Sequence, residues 1–338
     1  MESLQTRRTF LRSATGVSLA GTAGLVAIAR SLHAEPAPET VSVKFAKQRA
    51  ICIAPQYAAE ALLHAEGFVD VQYVPVESGA AISRGMASNE IDFSVNFSAP
   101  SITSIDSGEA VTLLAGVHPG CFELFGNETI RSITDLKGKR VGIENVNSAP
   151  HLFISVIAAY YGLDPAKDIN WVTTFNVRPI DAFADKKIDA FLGFPPEPQE
   201  AHARSLGHVV VSSAFDHPWS QYFCCFLKAR RNFVVANPIA AKRVLRAILK
   251  AADLCVAKPS EVAQQLVEGG FAERYDYALQ ALGDVPYQKW RDYDPEDTVR
   301  FYALRLHELG IIKKSPEEII ATGTDWRFLN EVKRELKS

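Results

Sequence analysis

The stretch Asn147-Ser148-Ala149-Pro150-His151 places a hydroxyl just ahead of a proline at the head of an apolar run. Ser148 is predicted to cap a helix, and the unpaired N–H groups of the first turn beyond it suit an oxyanion. His151 either faces the same ligand or is an ordinary helix residue, the commoner fate of a lone histidine. Asn96-Phe97-Ser98-Ala99-Pro100 has the same character. Asn96 and Ser98 either hydrogen-bond a ligand on which Phe97 stacks, or act as plain caps. Gln56 and Tyr57 stand at another helix start, lining a cleft or capping a surface helix, and Ser78-Gly79 offers further free N–H groups. Arg178, ahead of Pro179, sits where bidentate contact with a carboxylate or sulfonate is natural, although a solvated arginine fits the same place. Arg49 is a second cation of this kind. Phe194 and Glu197 flank Pro195-Pro196. Phe194 offers a ring for stacking, and Glu197 either accepts from an amine or favours a helix N-terminus. His118 and Trp219 lie near expected crossings between two halves, as hinge, cleft or packing residues.

These residue types suit binding better than catalysis. There is no Gly-x-Ser-x-Gly elbow and no Gly-x4-Gly-Lys-Ser/Thr phosphate loop, and the eight histidines are scattered. The five cysteines, Cys52, Cys121, Cys224, Cys225 and Cys255, show no Cys-x-x-Cys spacing and no histidine at zinc-ligand spacing. Adjacent Cys224 and Cys225 on a strand point to opposite faces. The run from Phe223 to Phe226 reads as buried strand, and the thiols as small buried hydrophobes. No metal, cofactor or catalytic residue is expected; a disulfide stays open, with no pairing singled out.

Positioning so many strand-end and helix-start residues needs repeated strand–helix units. Val41–Ala46, Val71–Val76, Ile91–Phe97 and Val111–Val117 read as strands. Helices follow at Pro55, at Ser78-Gly79 through Met86, and from Pro100 to Gly108. The same grammar returns at Lys139–Ile143, Trp171–Phe175, Ile188–Gly193 and Val209–Val211. Helices there start near Ser148, Pro179 and Pro196, and Pro at the start with Gly past the end is good helix punctuation. Strands alternating with helices predict an α/β fold with mainly parallel sheets flanked by helices. After a strand at Tyr222–Lys228 the chain reads as helical. Ligands of such sheets bind beyond the carboxyl ends of the strands.

The chain of 338 residues is 47% apolar, enough for one large domain or two ordinary lobes. Its first 34 residues read as an export signal: Arg7-Arg8 ahead of Phe10-Leu11-Arg12, an apolar glycine-broken run, then Ser31-Leu32-His33-Ala34. The arginine pair resembles a twin-arginine signal. Removing this leader leaves 32 basic and 38 acidic residues, a net charge of −6. That balance, without basic runs, argues against nucleic acid or an anionic membrane as partner. A soluble bacterial protein of the periplasm is expected.

Ser132-Ile133-Thr134-Asp135-Leu136-Lys137-Gly138-Lys139-Arg140-Val141 resembles the segment opening the second lobe of type II periplasmic solute-binding proteins. Met86–Asp92, Pro179–Phe183 with Lys187–Ala190, and Phe194-Pro195-Pro196-Glu197-Pro198 are similar to the nitrate, sulfonate and taurine branch of ABC-importer binding proteins. The resemblance implies a two-lobe fold with a cleft between the lobes. Lobe one would be residues 41–120 plus 222–338, and lobe two 121–221. It implies capture of a small organic solute, such as a sulfonate or carboxylate, by a monomer that docks on an ABC permease with its ATPase subunit. Two other readings stand beside it: an enzyme resembling the thiamine-pyrimidine synthases on the same fold, or a soluble partner of a periplasmic sensor or tripartite system. The synthases use a run of three cysteines, where this chain has only Cys224-Cys225.

Overall fold

Val43, Phe45 and Ala46 are buried while Ser42 and Lys44 stay partly exposed, the alternation of a strand with one face on a core. That strand, Ser42–Lys47 (β1), pairs in parallel with Asp70–Pro75 (β2) and Phe93–Phe97 (β3). Val111–Pro119 (β4) completes this side before the chain passes to a second sheet. There Glu123–Gly126 (β5), Arg140–Ile143 (β6), Asn170–Thr173 (β7), Ala190–Gly193 (β8) and His208–Ser212 (β9) assemble. Phe223–Arg230 (β10) then returns to lie between β3 and β4, antiparallel to both. The sheet orders are β2-β1-β3-β10-β4 and β7-β6-β8-β5-β9. In the second sheet β5 plays the part of β10, antiparallel to β8 and β9. The computed structural model describes residues 35–48, 50–174 and 177–336; the leader and Arg49 lie outside them. Both sheets belong to the unit formed by residues 38–338.

Parallel neighbours cannot be joined by tight turns, so helices make the return journeys and begin at strand carboxyl ends. Ser98–Asp106 follows β3, Ala149–Tyr160 follows β6, and Glu197–Ala203 follows β8. The helix expected after β1 is broken: a 3-10 turn at Ile51–Ile53 leads into Ala54–Ala58 and then Glu60–Ala65. β5 is not among the strands predicted from the sequence; it is defined by its antiparallel pairing with β8 and β9.

The amino end of each sheet is held by an aspartate. Asp92, buried, accepts from the backbone N–H of Lys44 (3.1 Å) and from the Arg230 guanidinium (2.7 Å). Asp189 accepts from the backbone N–H of Arg140 (2.9 Å) and from its guanidinium (2.8 Å). The chain passes between the sheets at 119–123 and 212–223, and the two passages are zipped together. The Ser213 hydroxyl accepts from the N–H groups of Cys121 (3.0 Å) and Phe122 (2.9 Å). Gly120 has φ +37, and a Cβ there would lie 2.3 Å from the Ser213 carbonyl oxygen, so this close passage requires glycine.

The main core runs through β1, β3, β4, β10 and the 20-residue helix Pro238–Ala257. A smaller core in the second half gathers Phe125, Ile180, Phe183, Ile188 and Phe191. No helix among the described residues is long and apolar enough to cross a membrane.

Candidate functional site

The loops beyond the carboxyl ends of the two sheets meet each other. The N–H of Ile51, after β1, donates to the carbonyl of Pro195, after β8 (3.0 Å). Phe97, at the end of β3, lies over Phe194, just past β8, with ring centroids 4.1 Å apart. Phe153, on the helix after β6, and Phe122, on the first passage, pack around this pair. Phe122 to Phe153 is 4.8 Å, and Phe153 to Phe194 is 6.2 Å. Phe97 and Phe194 are half-buried, whereas Phe122 and Phe153 are fully buried. The cavity remaining between the first passage and the 195–199 loop is about 20 Å³. A hollow of about 380 Å³ lies elsewhere, among the C-terminal helices, lined by Tyr293, Trp326 and Lys333.

Polar groups around the aromatic cluster divide into two kinds. Ser98 and Ser148 stand at the heads of the helices Ser98–Asp106 and Ala149–Tyr160, and each hydroxyl is buried without a hydrogen-bond partner. Gln199 keeps an unpartnered Oε1 while its amide donates to Asp284 (3.1 Å). Buried polar atoms are ordinarily satisfied, so such atoms at helix heads mark where a ligand would complete the set. Asn96, by contrast, spends its Oδ1 on the N–H of Phe97 (2.8 Å), fixing the backbone under the ring.

The electrostatics here are acidic. Glu197, half-buried at the head of its helix, has its carboxyl pushed up to about 8, chiefly by burial and then by the charge of Glu144. Glu144 is exposed on the loop after β6, and its carboxyl is raised by partial desolvation from the surrounding atoms. His151 is lowered by burial; its Nδ1 accepts from the N–H of Asn147 (3.2 Å) and its ring packs on Trp171. An N–H donor requires an unprotonated Nδ1, so His151 is neutral with its proton on Nε2.

Several other predicted site residues have different work. The Gln56 amide donates to the carbonyl of Ala46 (2.7 Å) and its oxygen accepts from the N–H of Val95 (2.8 Å). It is a fully buried latch between β1 and β3. Tyr57 is buried too, stacked on Phe271 at 4.0 Å and bonded to the backbone of Gln48 (2.9 Å). Ser78 is an exposed cap accepting from Ala81 (3.3 Å). Arg178 is paired with Asp181 (2.9 Å) and Glu200 (2.7 Å), and Arg204 joins the same acids. Its guanidinium is held on this network, not aimed at the aromatic cluster. Trp219 is buried on the second passage against Tyr160 and Phe301.

Sequence reasoning missed Phe122, Phe153 and Glu144, which carry no local signal for a site. It also missed a cluster of thiols. Cys52, His118, Cys121 and Cys225 are all buried, and their ligand atoms lie within 4.8 Å of one another. The five thiols are buried, as expected, but spacing along the chain hid that three separate segments bring three of them together with His118.

Comparison with known proteins gives this arrangement its context. Residues 53–262 match the family model described as NMT1/THI5 like. No curated protein matches the sequence. The fold is similar to that of the periplasmic nitrate-binding protein NrtA from Synechocystis PCC 6803, with 16% identity over 89% of this chain and 90% of that one, at a TM-score of 0.74. The alkanesulfonate-binding protein SsuA from Xanthomonas axonopodis pv. citri, bound to MOPS, is also similar, with 16% identity over 87% and 99% of the two chains at 0.67. The periplasmic aliphatic sulphonate binding protein SsuA from Escherichia coli gives 16% identity over 83% and 91% at 0.65. The two sheets, each with a single antiparallel strand and joined by two passages, are the type II periplasmic-binding-protein architecture, and the chain belongs to the NMT1/THI5-like family.

Proposed function

We propose that the protein is the periplasmic solute-binding component of an ABC importer, and that it is not an enzyme. The observation that carries this reading is the meeting of Phe97 and Phe194, each at a strand end of a different sheet, across two short passages. On this reading residues 41–120 with 222–338 move as one lobe and 121–221 as the other. The lobes pivot at Gly120 and Ser213, and opening parts the two rings. A solute enters with its apolar body between Phe97 and Phe194. Its polar end meets the hydroxyls of Ser98 and Ser148, with Asn96 and His151 beside them. Residues 1–34 act as a twin-arginine signal, and the mature monomer delivers its cargo to a membrane permease and its ATPase subunit.

The binding proteins it resembles in fold are named for nitrate and for sulfonates. Here Arg178 is occupied by two carboxylates, and Glu197, whose N–H donates to the carbonyl of Phe194, stands beside the rings with Glu144 close enough to raise it. Arg178's charge is spent on its own acids and Glu197 is protonated at neutral pH, so a small organic solute with an N–H-bearing or neutral polar end suits this site better than a bare inorganic anion.

The test is a thermal-shift panel on the mature protein, followed by calorimetry and mass spectrometry of the bound species. The panel holds nitrate, aliphatic and aromatic sulfonates, carboxylates, amines and pyrimidines. Saturation at a hundred times Kd stabilises by about 2.7 kcal/mol, readily seen as a rise in Tm. Binding of an unaltered panel member, lost in Phe97→Ala and Phe194→Ala, supports the reading. Turnover of a panel member, or a covalent pyridoxal mass on the protein, overturns it in favour of an enzyme.

A further inference from the structure

We propose that Cys52, His118, Cys121 and Cys225 form a site for one thiophilic metal ion, Zn2+ or Cu+. The four residues arrive from three places. Cys52 lies in the 3-10 turn after β1, His118 and Cys121 bracket the end of β4, and Cys225 is on β10. In the sheet register Cys225 stands opposite His118 on one side and Phe97 on the other, which sets the quartet directly behind the aromatic cluster. All four are buried, with ligand atoms within 4.8 Å of one another. Tetrahedral zinc with sulfur at about 2.3 Å needs sulfurs about 3.8 Å apart, so a small contraction completes the site.

The donor chemistry fits a soft ion. Three thiols and one imidazole are a common tetrahedral zinc set, and thiolates also select Cu+. His118 is already in the right tautomer. Its Nδ1 lies 3.1 Å from the carbonyl oxygen of Pro119, which can only accept, so Nδ1 carries the proton. The unprotonated nitrogen is then Nε2, which is buried without a hydrogen-bond partner. A backbone acceptor fixing the far nitrogen is the usual outer support of a ligating histidine. Tyr287 backs the other side, donating to the carbonyl of Cys52 (3.0 Å) with its ring 5.3 Å from that of His118. Binding expels a proton from each coordinating thiol, so affinity rises with pH. An ion here would tie the loop after β1 to β4, β10 and the first passage, and so stiffen the base on which Phe97 stands. The competing fate of the thiols is oxidation, since the Cys121 sulfur is 3.0 Å from that of Cys224.

The experiment uses the full chain without a histidine tag, reduced and handled without oxygen. It is titrated with Zn2+ against a chromophoric chelator, with Co2+ as a spectroscopic probe, and with Cu+ against a copper-specific chelator. The expected result is one equivalent of ion, thiolate-to-cobalt charge-transfer bands, and a raised Tm. Cys225→Ser and Cys52→Ser, on separate elements, should each weaken binding by at least about a hundredfold, above the ~10–100-fold of an outer partner. Cys255→Ser, outside the quartet, should leave it unchanged. The Zn2+ and Cu+ arms identify which ion binds. Cobalt spectra lacking thiolate bands, equal affinity in the quartet variants, or a Cys121–Cys224 disulfide without metal in protein from the periplasm would each overturn the site. Solute binding is read separately, so failure here leaves the transport reading standing.

Discussion

The two sheets are the same device at one end and different devices at the other. At their amino ends, Asp92 and Asp189 each clamp the neighbouring strand's backbone N–H and an arginine. Both follow an isoleucine in the motifs that resemble the binding-protein branch, Ile91-Asp92 and Ile188-Asp189. At the carboxyl ends the equivalence stops. The first sheet presents Asn96, Phe97 and Ser98, neutral and hydroxyl-bearing. The second matches these with Phe194 and Ser148 but adds the acidic Glu197. Repetition at the amino ends serves the fold; at the carboxyl ends residues of both halves meet, and on the proposed reading the divergence there serves recognition.

The largest expected effect tests whether a strand-end polar residue belongs to the fold or to the site. Gln56→Leu leaves the carbonyl of Ala46 and the N–H of Val95 buried and unpaired. Each lost partner costs about 1–3 kcal/mol, so stability should fall by about 3 kcal/mol in urea unfolding. Solute affinity of the folded protein should hold. Loss of binding at unchanged stability would move Gln56 into the site and erase the distinction drawn above.

Glu197 comes next. In the folded chain its carboxyl keeps its proton up to about 8, against 4.5 when unfolded. The folded state therefore binds the extra proton between these values, and stability falls as pH rises from about 4.5 to 8. Glu197→Gln should flatten that window; the full difference would be worth about 5 kcal/mol, and with water reaching the half-buried group about 2 kcal/mol of gain is expected at pH 8.5. An amine-bearing solute would ionise Glu197 on binding and release a proton, visible in calorimetry as an enthalpy that depends on the buffer. A pH-independent difference between variant and parent would place Glu197 in water.

The hydroxyls should behave oppositely to Gln56. Ser98→Ala and Ser148→Ala remove buried oxygens that have no partner. Stability should stay within about 0.5 kcal/mol or rise slightly. Solute affinity should fall about tenfold, the equivalent of 1.4 kcal/mol. A drop in stability with unchanged affinity would make both serines simple caps.

How much of this was legible in the sequence follows the same division. Strand–helix alternation and Pro/Gly punctuation located nine of the ten strands among the described residues, because each of those residues acts on its immediate neighbours. β5 escaped, since what makes Glu123–Gly126 a strand is its pairing with β8 and β9. Phe97, Ser98, Ser148 and Phe194 were legible as strand ends and helix starts. Gln56 and Tyr57 looked the same and turned inward, because the helix after β1 breaks and drops them into the core. The metal-type quartet was invisible: residues 52, 118, 121 and 225 carry no spacing that local chemistry could read.

Arg178 offers the smallest expected effect and the sharpest edge to the comparison. It stood as the natural anion contact, at the head of the helix Pro179–Ala184. Its guanidinium is more than half exposed, and Arg204 bonds both of its acids. Removing it leaves Asp181 and Glu200 still paired, and exposed pairs are worth about 0.2–1 kcal/mol. Arg178→Ala should therefore cost under about 1 kcal/mol in unfolding and leave solute affinity unchanged. A tenfold loss of affinity instead would mean that the arginine leaves Asp181 and Glu200 to meet the solute. The second sheet would then bring a cation to its carboxyl end, and the cargo would carry a negative charge after all.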